Sequence, residues 1–243
     1  MDFQHRLIFL ILALPAFVAA FTIHEFAHAY VADRLGDDTA RRAGKLTLDP
    51  WKQLDPIGSL FLVATILMGL PMLGWASVPV NRRNFKNPRR DDIFVSVAGP
   101  LSNVVQAFVW LLLLVAVRYA AAAAGFEFAS QDVLDIINRR PDIGTPWLGL
   151  AAACAIGVTL NLSLAVFNML PIPPFDGGFI AQNLFPPLAP LYDAIRPFSF
   201  VFLFLLIQAG PLLAPIFQPV DRFGAGLVLQ SLGHDPRDYT FGN

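Results

Sequence analysis

Apolar side chains gather into five long stretches along the 243-residue chain, covering about residues 7–32, 57–80, 93–117, 147–170 and 198–217. Each approaches the roughly 20 residues that a helix needs to cross about 30 Å of hydrocarbon, so the pattern predicts membrane helices. The connectors between them are polar. Arg34, Arg41, Arg42, Lys45 and Lys52 separate the first stretch from the second, and Arg82, Arg83, Lys86, Arg89 and Arg90 separate the second from the third. The connector over about 118–146 is too short for a further folded domain, which typically takes about 50 residues or more. The expected fold is an all-α multi-pass bundle of about four to six membrane segments with short β elements. A core over residues 1–217 is followed by a C-terminal tail over 218–243. Outside the stretches, Gly44–Leu48 alternates and is a candidate edge strand.

Composition agrees with a bilayer environment. Hydrophobic residues make up 56% of the chain and charged ones only 14%, against about 25% charged in soluble domains. The net charge of −1 gives no basic face for nucleic acid. Cys154 is the one cysteine, which excludes an internal disulfide and a cysteine-rich zinc site. A metal site can therefore draw only on His5, His24, His28, His234 and carboxylates.

The first stretch contains His24-Glu25-Phe26-Ala27-His28, an HExxH pattern. Helical residues four apart share a face, so both imidazoles can reach one ion, with Glu25 beside them to take a proton from an activated water. Zinc suits imidazole and carboxylate donors, and a catalytic site keeps a position open for water. Ionisable groups within an apolar stretch are costly and usually functional. Two histidines leave a third protein ligand to be found. His5 lies about 28 Å away along a helix, and His234 belongs to the polar tail. Asp176, in Asn168-Met169-Leu170-Pro171-Ile172-Pro173-Pro174-Phe175-Asp176-Gly177-Gly178, is the better candidate, although Pro-Phe-Asp-Gly-Gly also reads as a simple turn.

Together HEFAH and NMLPIPPFDGG resemble the site-2 protease family of intramembrane zinc metalloproteases. Ala98-Gly99-Pro100-Leu101-Ser102-Asn103 is similar to that family's Ala-Gly-Pro-x-x-Asn element. The resemblance runs over roughly residues 20–180 and is to a minimal member without PDZ or cystathionine-β-synthase domains. It implies one zinc ion per chain on His24, His28 and Asp176, Glu25 as catalytic base, and cleavage of peptide bonds within or next to transmembrane segments of substrate proteins. Phe175 stands where the family has Leu, a change expected to alter packing rather than ligation. Asn168 and Asn103 are candidates for contact with substrate or oxyanion, and amides in membranes equally serve to join helices. Gly99 and Pro100 read as structural, allowing close approach to the first helix. Another reading, a zinc transporter or regulatory scaffold without peptidase activity, leaves Glu25 without a purpose.

Sharing one ion also constrains topology. The ends of the first and fourth stretches must lie on one side of the membrane, which the basic connectors make the cytosolic side. That requires the second stretch to enter and return, with Gly69, Pro71 and Gly74 as the break. The expected location is the cell membrane, with the zinc site near its cytosolic face.

Overall fold

Among the described residues, four α-helices begin at a proline, whose fixed φ suits the first helical turn and whose missing N–H is not needed there. A computed structural model describes residues 3–68, 76–129, 132, 133, 136, 144–199 and 210–233. In chain order the helices are α1 (Phe3–Arg34), α2 (Thr39–Arg42), α3 (Pro50–Gln53), α4 (Pro56–Met68), α5 (Pro88–Ala123), α6 (Pro146–Asn168), α7 (Asp176–Leu184), α8 (Ala189–Ile195) and α9 (Gly210–Ser231). Short 3-10 turns cover Arg82–Asn84, Pro186–Leu188 and Arg196–Phe198. Among the described residues α1, α5 and α6 are long and apolar enough to cross a membrane, and α4 is a shorter apolar helix. Residues 200–209 of the fifth stretch lie outside the described residues, and α9 runs through residue 217.

Small side chains let the helices close on one another. Ala13, Ala16 and Ala20 of α1 are fully buried in one cluster with Leu62 and Ile66 of α4 and Ile156 and Leu160 of α6. A second cluster joins Leu114 of α5 and Ala151, Ala152, Ala155 and Val158 of α6 to Val228 and Leu229 of α9. Outward-facing Leu101, Val105, Phe108 and Leu112 of α5 are exposed, as expected of a lipid-facing stripe.

Of the second stretch the structure describes both ends. Its helix α4 covers 13 described residues, about 20 Å. Leu54, just before α4, forms an antiparallel bridge with Ala76. At the far end of α4, Arg6 Nη1 donates to the Leu67 carbonyl at 2.9 Å. The break expected at Gly69, Pro71 and Gly74 lies outside the described residues.

Short β elements are not found: the described residues contain no strand beyond that isolated bridge. Gly44–Leu48 bends instead, for a local reason. Gly44 takes φ +69°, and the carbonyls of Lys45 and Thr47 accept from Gln53 Nε2 at 2.6 and 2.7 Å. Those acceptors serve a buried side chain, not a partner strand.

Candidate metal centre

The HExxH face of α1 points inward. His24, Glu25 and His28 are all buried, and α5 supplies the surface the two imidazoles rest on. Gly99 makes this possible: a Cβ there would stand 2.5 Å from His24 Cε1 and Nε2 and closer still to His28 Nε2. The glycine read as structural is thus a cradle for both imidazoles.

Asp176 arrives from the other side. The prolines after α6 prevent the helix from continuing, and the chain folds back so tightly that a side chain at Gly177 would strike the main chain of Met169 and Leu170. Gly178 is nearly as close to Ile172. This pair of glycines lets Asp176, at the start of α7, lie against α1. Phe175 packs edge-on to Phe167, with ring centroids 4.4 Å apart. Tyr192 donates from its hydroxyl to the Pro171 carbonyl at 2.7 Å, holding the same turn from α8.

The donor atoms converge. Ligand atoms of His24, His28 and Asp176 all lie within 4.8 Å of one another. His24 Nε2 is 3.0 Å from His28 Nε2 and 3.3 Å from Asp176 Oδ2, and His28 Nε2 is 3.4 Å from Asp176 Oδ1. The outer nitrogens are engaged elsewhere: His28 Nδ1 is 2.7 Å from the Val95 carbonyl and His24 Nδ1 is 2.6 Å from Asn103 Oδ1. Both partners are acceptors, so both Nδ1 atoms donate, and in the neutral imidazoles both Nε2 atoms present lone pairs. Asp176 Oδ2 is buried without a hydrogen-bond partner. With both imidazoles neutral, three acceptors face one another, an arrangement that a shared cation relieves. Two imidazoles and a carboxylate fit zinc, and the outer hydrogen bonds orient the rings as metal-binding histidines require.

A cavity of about 380 Å³ opens onto this cluster. His24, Glu25, His28, Asp176 and Asn168 line it. Asn168 donates from Nδ2 to the Leu164 carbonyl at 3.1 Å. Asn103 is fully buried behind His24. His5 lies at the opposite end of α1 from the motif, and His234 lies outside the described residues.

One wall was not legible in the sequence. Ala76, Ser77, Val78, Val80 and Arg82 also line the cavity, on a segment held from several sides. Lys45 Nζ donates to the Ser77 carbonyl at 2.8 Å. Buried Asp37 accepts from Asn81 N and Asn84 Nδ2, both at 2.7 Å, and from the Thr39 hydroxyl at 2.5 Å. Burial pushes the Asp37 carboxyl up, but these donors outweigh it and hold the group below the usual carboxylate range. Arg82 Nε pairs with Asp92 at 2.8 Å, and Asn183 Nδ2 of α7 donates to the same carboxylate at 2.6 Å. The only advance signal was a run of basic residues, which reads equally well as a solvated connector.

The sequence profile of peptidase family M50 matches residues 12–208. YwhC of Bacillus subtilis, by name a candidate zinc metalloprotease, is 39% identical over 215 residues, covering 88% of this chain and 87% of that protein. Rip2 of Mycobacterium tuberculosis, also named as a candidate zinc metalloprotease, is 31% identical over 204 residues, covering 83% of this chain and 68% of that protein. No solved structure matches.

Proposed function

The chain belongs to peptidase family M50, and on that footing we propose that it is an intramembrane zinc endopeptidase cutting within or next to the transmembrane segments of other membrane proteins. The observation that carries the reading is the meeting of two buried imidazoles and a half-buried carboxylate from two distant sequence motifs, beside Glu25, on the wall of one cavity.

His24, His28 and Asp176 hold one zinc ion per chain. When bound, the ion supplies Lewis acidity that makes water nucleophilic near neutral pH and polarises a carbonyl. Glu25 takes the proton from the attacking water and returns it to the departing amine nitrogen. Its position on the cavity wall, off the ligand set, suits that shuttle. Asn168 lines the same cavity, and we assign its remaining amide N–H to donate to a substrate carbonyl or oxyanion.

The second stretch is a re-entrant hairpin. Two contacts support this: the chain leaves at Leu54 and is back beside it at Ala76, and α4 reaches the depth of Arg6 in between. Then α5 runs away from the catalytic end and α6 returns to it, bringing Asp176 to the histidines. With the basic connectors on that end, the site faces the cytosol.

The test is Glu25→Gln in the purified full-length protein. Zinc should stay near one per chain while cleavage of a membrane-protein substrate is lost. Cleavage at the wild-type rate removes Glu25 from the mechanism, and loss of zinc makes it a ligand.

A further inference from the structure

Asn161 lies in the middle of an apolar helix, fully buried, and no step above uses it. Its Nδ2 is 2.9 Å from the Gly157 carbonyl, one turn earlier on α6. A carbonyl oxygen can only accept, so the amide must turn its NH2 toward the backbone and its Oδ1 away. Facing that Oδ1, at 2.9 Å, is Asn103 Nδ2 of α5. With its NH2 committed there, Asn103 must present Oδ1 on its other side, where His24 Nδ1 of α1 lies at 2.6 Å.

From this chain we infer that Asn161 and Asn103 are positioning residues for His24. The Gly157 carbonyl, acting through two amides, sets the imidazole's tautomer. The polarity runs one way because its first link is main chain and cannot rotate. Reversing either amide would set N–H against N–H or oxygen against oxygen. Both asparagines are fully buried, so water has no access to repair the mismatch. The result is a proton on His24 Nδ1, so that the neutral ring turns a bare Nε2 toward Asp176 and His28. The opposite tautomer would aim an N–H at the ion. His28 needs no relay, because its Nδ1 reaches a carbonyl, that of Val95, directly. Three helices are thereby tied to one proton position, which makes Asn161 part of the site although it touches neither metal nor substrate. The inference rests on the metal reading proposed above.

The test uses full-length protein in detergent. Zinc affinity is measured by competition with a chelating dye, and the His24 tautomer by nitrogen-15 NMR of the zinc-free protein, assigned by the signal lost in His24→Gln. In the wild type His24 should carry its proton on Nδ1. In Asn161→Leu the Asn103 amide is free to turn, so the tautomers should mix and zinc affinity fall about tenfold or more. Asn103→Asp presents an acceptor in either orientation. Adding it to Asn161→Leu should bring zinc affinity back to the wild-type range. A bare Nδ1 in the wild type overturns the relay even if every variant fails to fold. So does a folded Asn161→Leu protein with wild-type tautomer and affinity, or a double variant that gains nothing. A wild type with the expected tautomer but no bound zinc overturns the metal centre and leaves the relay standing.

Discussion

Gly99→Ala adds a single methyl group, and the geometry says where it goes. The new Cβ would lie 2.5 Å from His24 Nε2, whereas ordinary contact begins at 3.4 Å, so the ring must retreat by about 0.9 Å. His28 is pressed at least as hard. Ligand distances tolerate only about ±0.2 Å. Neither ring can step aside freely, because each is held at Nδ1, by Asn103 and by the Val95 carbonyl. Displaced orientation at one ligand costs about 10–100-fold in metal affinity. With two ligands displaced, the loss should reach at least about 100-fold, or about 2.8 kcal/mol at 1.4 kcal/mol per tenfold. The fold should suffer less. Overpacking costs about 1–3 kcal/mol, and alanine in a helix interior recovers about 1 kcal/mol relative to glycine. Zinc competition titration and thermal unfolding of the zinc-free protein separate the two effects. Gly144→Ala, where the new methyl meets nothing within 4 Å, is the control. A Gly99→Ala protein that binds zinc as tightly as wild type would refute the reasoning.

Asp176→Ala should lose zinc under dilute chelator, while His5→Ala and His234→Ala keep both zinc and activity; full zinc occupancy in Asp176→Ala would make that residue a turn former only. Asp37→Asn should destabilise the protein by on the order of 2 kcal/mol at neutral pH, the scale of lost hydrogen bonds to a charged group. Because the folded-state value of Asp37 is depressed, its contribution is complete above the ordinary value of 3.8 and fades as pH falls through the lower folded one. Unfolding curves of wild type and variant should therefore converge in acid, and a constant gap would contradict the assignment. Single cysteines at the exposed positions Arg42 and Arg83, in a Cys154→Ser background, should both resist a membrane-impermeant thiol reagent in intact cells and both react once the inner face is opened. Opposite accessibility would rule out the re-entrant hairpin.

The chemistry was legible in the sequence because it is local. HExxH places two imidazoles by helical periodicity alone, and the Asp-Gly-Gly turn, joined to it by a family resemblance, pointed to Asp176, which the structure brings beside them. Gly99 was legible in kind, as a close approach to α1, but which atoms fill the space is a property of packing. Asn103 stayed open between substrate contact and helix joining, because a buried amide has many uses and its partners are 58 and 79 residues away. Asn161 gave only the general signal of a polar residue in an apolar helix. The edge strand expected at Gly44–Leu48 failed because alternation cannot reveal that Gln53, folding back from α3, takes the carbonyls a strand would need. The cavity wall at Ala76–Arg82 depends on long-range bonds from Asp37 and Lys45, and no local pattern encodes those.

The most direct test of the central claim is to reconstitute the full-length protein in liposomes with a labelled single-span membrane protein and map the products by mass spectrometry. The expected result is a cut within or next to the span, lost on chelation, restored by zinc, and absent with Glu25→Gln. Cleavage that survives chelation, or that falls only in water-exposed domains far from the span, would contradict it.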